Sequence, residues 1–176
     1  MMCAMTRLHA LLVSLAIAVL LAPAVAYAKY YAVPAALGSA LARTDDETPL
    51  AILLPNRLNL DYDGRVHASG GGDRRSWTLS LTAAPMCGGA TACFLVTFSA
   101  ERGEDPHFTT KVRLRGGRTG YFKPLSCGGS CSPPAIEWRS RGNLYSIQAK
   151  VPDSTTAGQR RRLVAAANAA LAAGPL

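Results

Sequence analysis

The chain has 176 residues, of which 49% are hydrophobic and 17% charged, and a formal net charge of +8. That length suits one domain with an ordinary core. The positive balance favours anionic surroundings such as phospholipid headgroups, cell-wall polymers or nucleic acid, without choosing among them.

The first 28 residues read as a secretory leader. Arg7 gives a positive start, LLVSLAIAVLLA (11–22) an apolar centre that Pro23 ends, and Ala26-Tyr27-Ala28 a small-x-small cleavage site before Lys29. The apolar run is 12 residues, against the ~20 that a membrane-crossing helix needs, which disfavours an uncleaved anchor. Cleavage would leave 148 residues with net charge +8 − 1 = +7, in a periplasmic or secreted protein. No later apolar segment approaches ~18 residues, so no integral membrane protein is expected after processing.

Residues 29–48 are weakly patterned, with a short helix expected around 34–42. LAILLP (50–55) is either a buried strand or an apolar lead-in that Pro55 ends. DYDG (61–64) reads as an Asp-Gly hairpin turn; the later ligands of a calcium loop are missing. Beyond it the apolar period becomes two. Trp77, Leu79 and Leu81 share one face of SWTLSLT. Phe94, Val96 and Phe98, then Val112 and Leu114, Ile136 and Trp138, and Tyr145, Ile147 and Ala149 repeat the pattern. One apolar and one polar face per strand is the mark of an antiparallel sheet covered on one side. GGG (70–72), GEDP (103–106), RGG (115–117) and RGN (141–143) read as turns between strands.

Four cysteines follow the leader: Cys87, Cys93, Cys127 and Cys131. An even count in an exported chain reads first as disulfides. Each close pair encloses glycines (CGGATAC, CGGSC), so the local pairing Cys87–Cys93 and Cys127–Cys131 is expected, although four cysteines allow three connectivities. Each small ring would contribute roughly 2–2.5 kcal/mol by loop entropy. A metal site is disfavoured, because neither His67 nor His107 lies at ligand spacing from a cysteine. A redox motif wants C-x-x-C at a helix start, and here C-x3-C precedes Ser-Pro-Pro. No metal or cofactor is expected.

The last segment turns helical. DSTT (153–156) supplies capping residues, Leu163, Val164, Ala167, Ala170 and Leu171 form a stripe of helical period, and Gly174-Pro175 ends it. The apolar faces of helix and sheet need each other. The expected fold is therefore α+β: one antiparallel, meander-like sheet of about six or seven strands with the C-terminal helix packed on one face. In domain terms, a leader (1–28) and an N-terminal segment (29–48) precede an α+β domain (49–176), with its sheet over 50–151 and its helix over 155–173.

The run Trp138, Gly142, Tyr145 (W-x3-G-x2-Y), preceded by Gly117–Phe122 and followed by a helix with the Ala167-Asn168 step, resembles a group of exported bacterial domains of unknown function. The resemblance covers roughly 111–172 and rests on structural motifs. It implies an exported α+β domain, loosely similar to lipoprotein-carrier-type curved sheets, and implies no catalytic residue.

Sequence signatures of catalysis are thin. His107, in GEDPHF, is the one histidine beside acids, and a solvated turn is the simpler reading. The basic residues are the better lead. Lys111, Arg113 and Arg115 project from one side of a strand with Arg118 just beyond, and Arg139 and Arg141 belong to a second strand and its turn. If these strands lie together they form an anion-binding patch on the uncovered face. Arg160, Arg161 and Arg162 stand near a helix N-terminus, where cations are unfavourable, so helix stability does not explain them. Nucleic acid is disfavoured by the compartment and by the lack of stacking aromatics on the basic face. The reading is a non-enzymatic exported module that binds an anionic envelope component or a protein partner. The alternative is a carrier holding a lipid or other apolar ligand between sheet and helix. Protein recovered from a periplasm should have the denatured mass of residues 29–176 less four hydrogens; mass spectrometry showing the full chain, or free thiols, would contradict the leader or the disulfides respectively.

Overall fold

The computed structural model describes residues 30–176; the leader expected over 1–28 lies outside the described residues. The chain runs β1 (Tyr30–Ala32), α1 (Val33–Glu47), β2 (Arg57–Asn59), β3 (His67–Gly72), β4 (Ser76–Thr82), β5 (Phe94–Arg102) and β6 (Thr110–Arg113). A short 3-10 turn (Arg115–Gly117) leads to β7 (Thr119–Lys123), β8 (Ser126–Cys127), β9 (Cys131–Ser132), β10 (Ala135–Ser140), β11 (Asn143–Ala149) and α2 (Thr156–Ala173). Seven strands form one antiparallel sheet in the order β3-β4-β5-β11-β10-β7-β6. The fold is α+β, with the C-terminal helix on one face.

The strands with period-two patterning lie where their sequence put them, and the register carries the pattern across the sheet. Trp77 pairs with Ala100, Leu79 with Phe98 and Leu81 with Val96. Phe98 then faces Ile147, and Ile147 faces Ile136. These side chains are fully buried and form one core with Leu163, Ala166, Ala167 and Ala170 of α2. Tyr145 lies between two tryptophans, stacked on Trp138 with ring centroids 5.7 Å apart and edge-on to Trp77 at 6.3 Å. Its hydroxyl donates to the Ala51 carbonyl at 3.0 Å, which ties the lead-in to the sheet. LAILLP forms no named strand. Its leucines and Ile52 are buried as an apolar strap that the C-terminus meets, with Leu53 bridging Pro175.

The sheet departs from a simple meander at one point. β3-β4-β5 form one run and β6-β7-β10-β11 another. Between them the chain jumps from mid-sheet β5 to the far edge, then works inward until β11 pairs with β5.

Three local expectations need correction. The GGG segment is strand β3, not a turn, because α1 packs against it. A Cβ at Gly70 would sit 2.6 Å from Leu79 Cδ2 and 2.9 Å from Thr44 Oγ1, so only glycine lets α1 approach. The turn is instead at Asp73, whose carboxylate accepts from the Arg75 and Ser76 amides at 2.7 Å each. DYDG is not a hairpin turn, since β2 pairs with β1 and not with β3; the loop wraps Tyr31, whose hydroxyl donates to the Tyr62 and Gly64 carbonyls. The N-terminal helix spans Val33–Glu47, well beyond 34–42, and kinks at Gly38, where φ is 47°.

Both disulfides are local: Cys87–Cys93 closes the loop before β5, and Cys127–Cys131 closes the β8–β9 tip. Gly88 and Gly89 of the first ring have positive φ (55° and 78°). The second ring closes without a positive-φ glycine. Gly70→Ala should lower stability by about 1–3 kcal/mol through overpacking, read by urea unfolding. Gly71→Ala, whose added Cβ meets only the Glu47 carboxylate at 3.3 Å, should cost much less.

Candidate anion-binding site

β6 is an edge strand, and its side chains alternate. Val112 turns toward the helix side, while Lys111 and Arg113 point to the outer face and are exposed. α2 runs beside this edge. Thr155 caps it by accepting from the Gly158 amide at 3.0 Å, and Leu163, Ala166, Ala167 and Ala170 turn inward. With that face fixed, Arg160 and Arg161 fall outward. The two elements enclose a groove of about 330 Å³ lined by Lys111, Val112, Arg113, Arg160, Arg161 and Val164. Four basic residues and two valines thus line it.

Asn168 sets the spacing of this groove at its other end. Its Oδ1 accepts the Arg115 amide at 2.7 Å, joining α2 to the turn that follows β6. Arg115, expected on the strand with Lys111 and Arg113, is instead the first residue of that turn, because the strand ends at Arg113; Arg118 follows the turn, with its guanidinium folded over Gly116, 2.9 Å from where a Cβ would stand.

The ion pairs among the described residues are His107–Glu137, Arg139–Asp105 and Arg162–Asp153, and none includes a groove cation. Asp153 is held below the ordinary carboxylate range, first by the Thr155 hydroxyl and amide and then by the nearby charges of Arg162 and Arg161. It is therefore ionised throughout neutral pH. The stability this gives the helix start is fully present above the ordinary carboxyl range and is lost as the pH falls below it. Asp153 engages Arg162, the one member of the arginine triplet outside the groove lining.

The other basic residues of the expected patch are placed differently. β6 and β10 are not neighbours; β7 lies between them. Arg139 shares the outer face but is bound to Asp105. Arg141, with φ 52°, forms the β10–β11 turn with Gly142 and lies with Arg102 beside Pro49, Leu50 and Ala51. The face is also not free of aromatics: Tyr121 pairs with Lys111 across β6–β7, and Phe108 lies under the Lys123 ammonium, 5.8 Å from its ring centre.

His107 lies at an exposed bend, its side chain 60% exposed, and is also tied to a buried carboxylate. The loop from β5 to β6 crosses the outer face, where Glu137, 5% exposed, accepts the His107 amide at 2.8 Å and meets its Nδ1 at 3.1 Å. Asp105–Arg139 and Phe108–Lys123 hold the loop on either side. Glu137 was not singled out from sequence, because a glutamate on the polar side of AIEWRS looks like an ordinary exposed residue.

A larger cleft, about 770 Å³, lies between the disulfide loops and the start of α2, lined by Leu125, Pro133, Pro134, Val151 and Pro152 among others. Several of its polar groups serve the fold: Lys150 Nζ donates to the Ala92 carbonyl, and Gln159 binds the Leu125 amide and the Asp153 carbonyl. Among the described residues no helix is long and apolar enough to cross a membrane. No protein-family model, curated protein or solved structure matches the chain. Glu137→Ala should strip the His107 amide of its acceptor, at a cost of about 1.5–3 kcal/mol for a bond to a charged group. Amide hydrogen exchange in 103–109 should speed up selectively; unchanged exchange there would mean the loop is held by other contacts.

Proposed function

We propose that the protein is an exported, non-enzymatic binding module that takes an anionic partner in the groove between β6 and α2. The observation that carries this reading is the convergence of Lys111, Arg113, Arg160 and Arg161, from two elements far apart in sequence, beside two valines and with no carboxylate among the lining residues. Helix stability does not account for arginines near a helix N-terminus, and a purely solubilising role does not require them beside the basic strand. The two disulfides fit an oxidising compartment, and the sequence of 1–28 supports export.

The Glu137–His107 pair fastens a loop, with both carboxylate oxygens engaged by the same histidine. The carrier alternative has weaker support between sheet and helix, where Ile136, Trp138, Tyr145 and Leu163 are fully buried against one another. Its support is the 770 Å³ cleft beside that interface, a volume in the range of small-molecule sites.

At low salt the disulfide-bonded protein should bind phosphatidylglycerol vesicles or immobilised poly-glutamate. The double variant Arg113→Ser/Arg161→Ser should weaken this by about tenfold, a sum of two partly screened charge contacts. Arg74→Ser/Arg75→Ser, in the exposed turn at the opposite edge, should leave it nearly unchanged. Equal losses in the two variants, or no binding to either matrix, would contradict the groove.

A further inference from the structure

β6 ends the sheet, and the direction of its backbone groups is fixed by its neighbour. The Leu114 amide donates to the Arg118 carbonyl at 2.8 Å, continuing the register in which Val112 pairs with Gly120 and Thr110 with Phe122. Antiparallel pairs alternate between bonded and non-bonded. The even-numbered residues therefore spend their N–H and C=O groups on β7, and those of Lys111 and Arg113 face outward from the edge. This outward row opens on the groove that Arg160 and Arg161 border from the helix side.

We infer that the anionic partner is an acidic, extended polypeptide segment that joins the sheet as an eighth strand along β6. This rests on the anion-binding reading and adds to it a partner class and a geometry. An antiparallel segment would form a bonded pair with Lys111 and another with Arg113, satisfying the four outward backbone groups. Residues directly opposite each other share a face. The residues facing Lys111 and Arg113 thus lie beside those cations on the outer face, and both should be acidic. The residue between them faces Val112 and Val164 and should be apolar. The recognised pattern is acidic–apolar–acidic in extended form, with Arg160 and Arg161 adding field from the helix side. β6 has four residues, about 13 Å of strand, so the segment is short.

Charge decides which strands the edge admits. Exposed edges invite pairing with any strand, and lysine or arginine on an edge repels another like itself. A second copy of this chain would bring its own Lys111 and Arg113 to the contact, so self-pairing is opposed while an acidic strand is drawn in. Backbone bonds supplying affinity and alternate side chains supplying selectivity is how added strands are recognised generally.

The test uses the disulfide-bonded protein and three peptides of equal charge: acetyl-Thr-Glu-Val-Glu-Thr-amide, the same peptide N-methylated at both glutamates, and the same peptide N-methylated at valine only. The glutamate amides are those that would bond to β6, and the valine amide faces away. The parent and the valine-methylated peptide should bind alike, and the glutamate-methylated peptide at least about tenfold more weakly. Lys111→Ser/Arg113→Ser should weaken the parent by a similar factor. Three peptides binding equally would overturn the added strand and leave the anion site standing. Binding to phosphatidylglycerol vesicles with no peptide binding would also overturn the strand, in favour of a lipid headgroup. Loss on valine methylation to the same degree would overturn the geometry, and no binding to any of these probes would overturn both readings.

Discussion

The carboxylate of Glu137 fastens the crossover that leads to the far half of the sheet. A chain leaving β5 in mid-sheet has to reach the opposite edge before β6 can start, and it does so across the outer face. A backbone amide laid on that face needs an acceptor, or it gives up its water without compensation. Glu137 supplies one to His107, while Arg139 and Lys123 hold the residues on either side. Because the crossover is fastened there, β6 becomes the outermost strand and its outer edge stays uncovered. A meander in simple chain order would have placed β6 beside β5 and closed that edge.

The opposite face obeys a second constraint, the close approach of helices. α2 presents alanines to a sheet whose face carries Trp77, Trp138 and Tyr145, so large aromatic groups fill the space that small helical residues leave. At the other edge the relation is reversed: β3 is reduced to glycines so that Thr44 of α1 and Thr48 just after it can lie against it. Large opposite small is how interiors reach crystal-like density. The Asn168 bond to the Arg115 amide then fixes where the far end of α2 lies relative to β6. The width of the basic groove is a consequence of that packing.

Much of this was legible in the sequence, and what was not has physical causes. Strands such as SWTLSLT and AIEWRS announce themselves because each buries one face. The helix over 155–173 was legible from its cap, stripe and terminal glycine. The strand at 67–72 was not, because three glycines have no side chains to alternate, and their use appears only when α1 is beside them. Strand order was also hidden, since antiparallel pairing leaves no local mark of which edge a strand joins. For the groove, the strand alternation exposed Lys111 and Arg113, and the unfavourable position of Arg160 and Arg161 marked them as unexplained. Their meeting needed the fold. Arg139 and Arg141 belong elsewhere for reasons of tertiary structure: Asp105 crosses to Arg139, and Arg141 forms the β10–β11 turn.

The account stands on one claim, that Lys111, Arg113, Arg160 and Arg161 act together on one anionic partner. The most direct measurement is a nuclear magnetic resonance titration of the arginine Nε–H signals with soluble poly-glutamate, using Arg139 and Arg162, which are ion-paired and outside the groove lining, as internal references. Arg113, Arg160 and Arg161 should shift together along one binding curve, with Arg139 and Arg162 nearly still. Shifts spread evenly over all the arginines, or largest at Arg139 and Arg141, would show that the charge acts diffusely and that the groove is not a site.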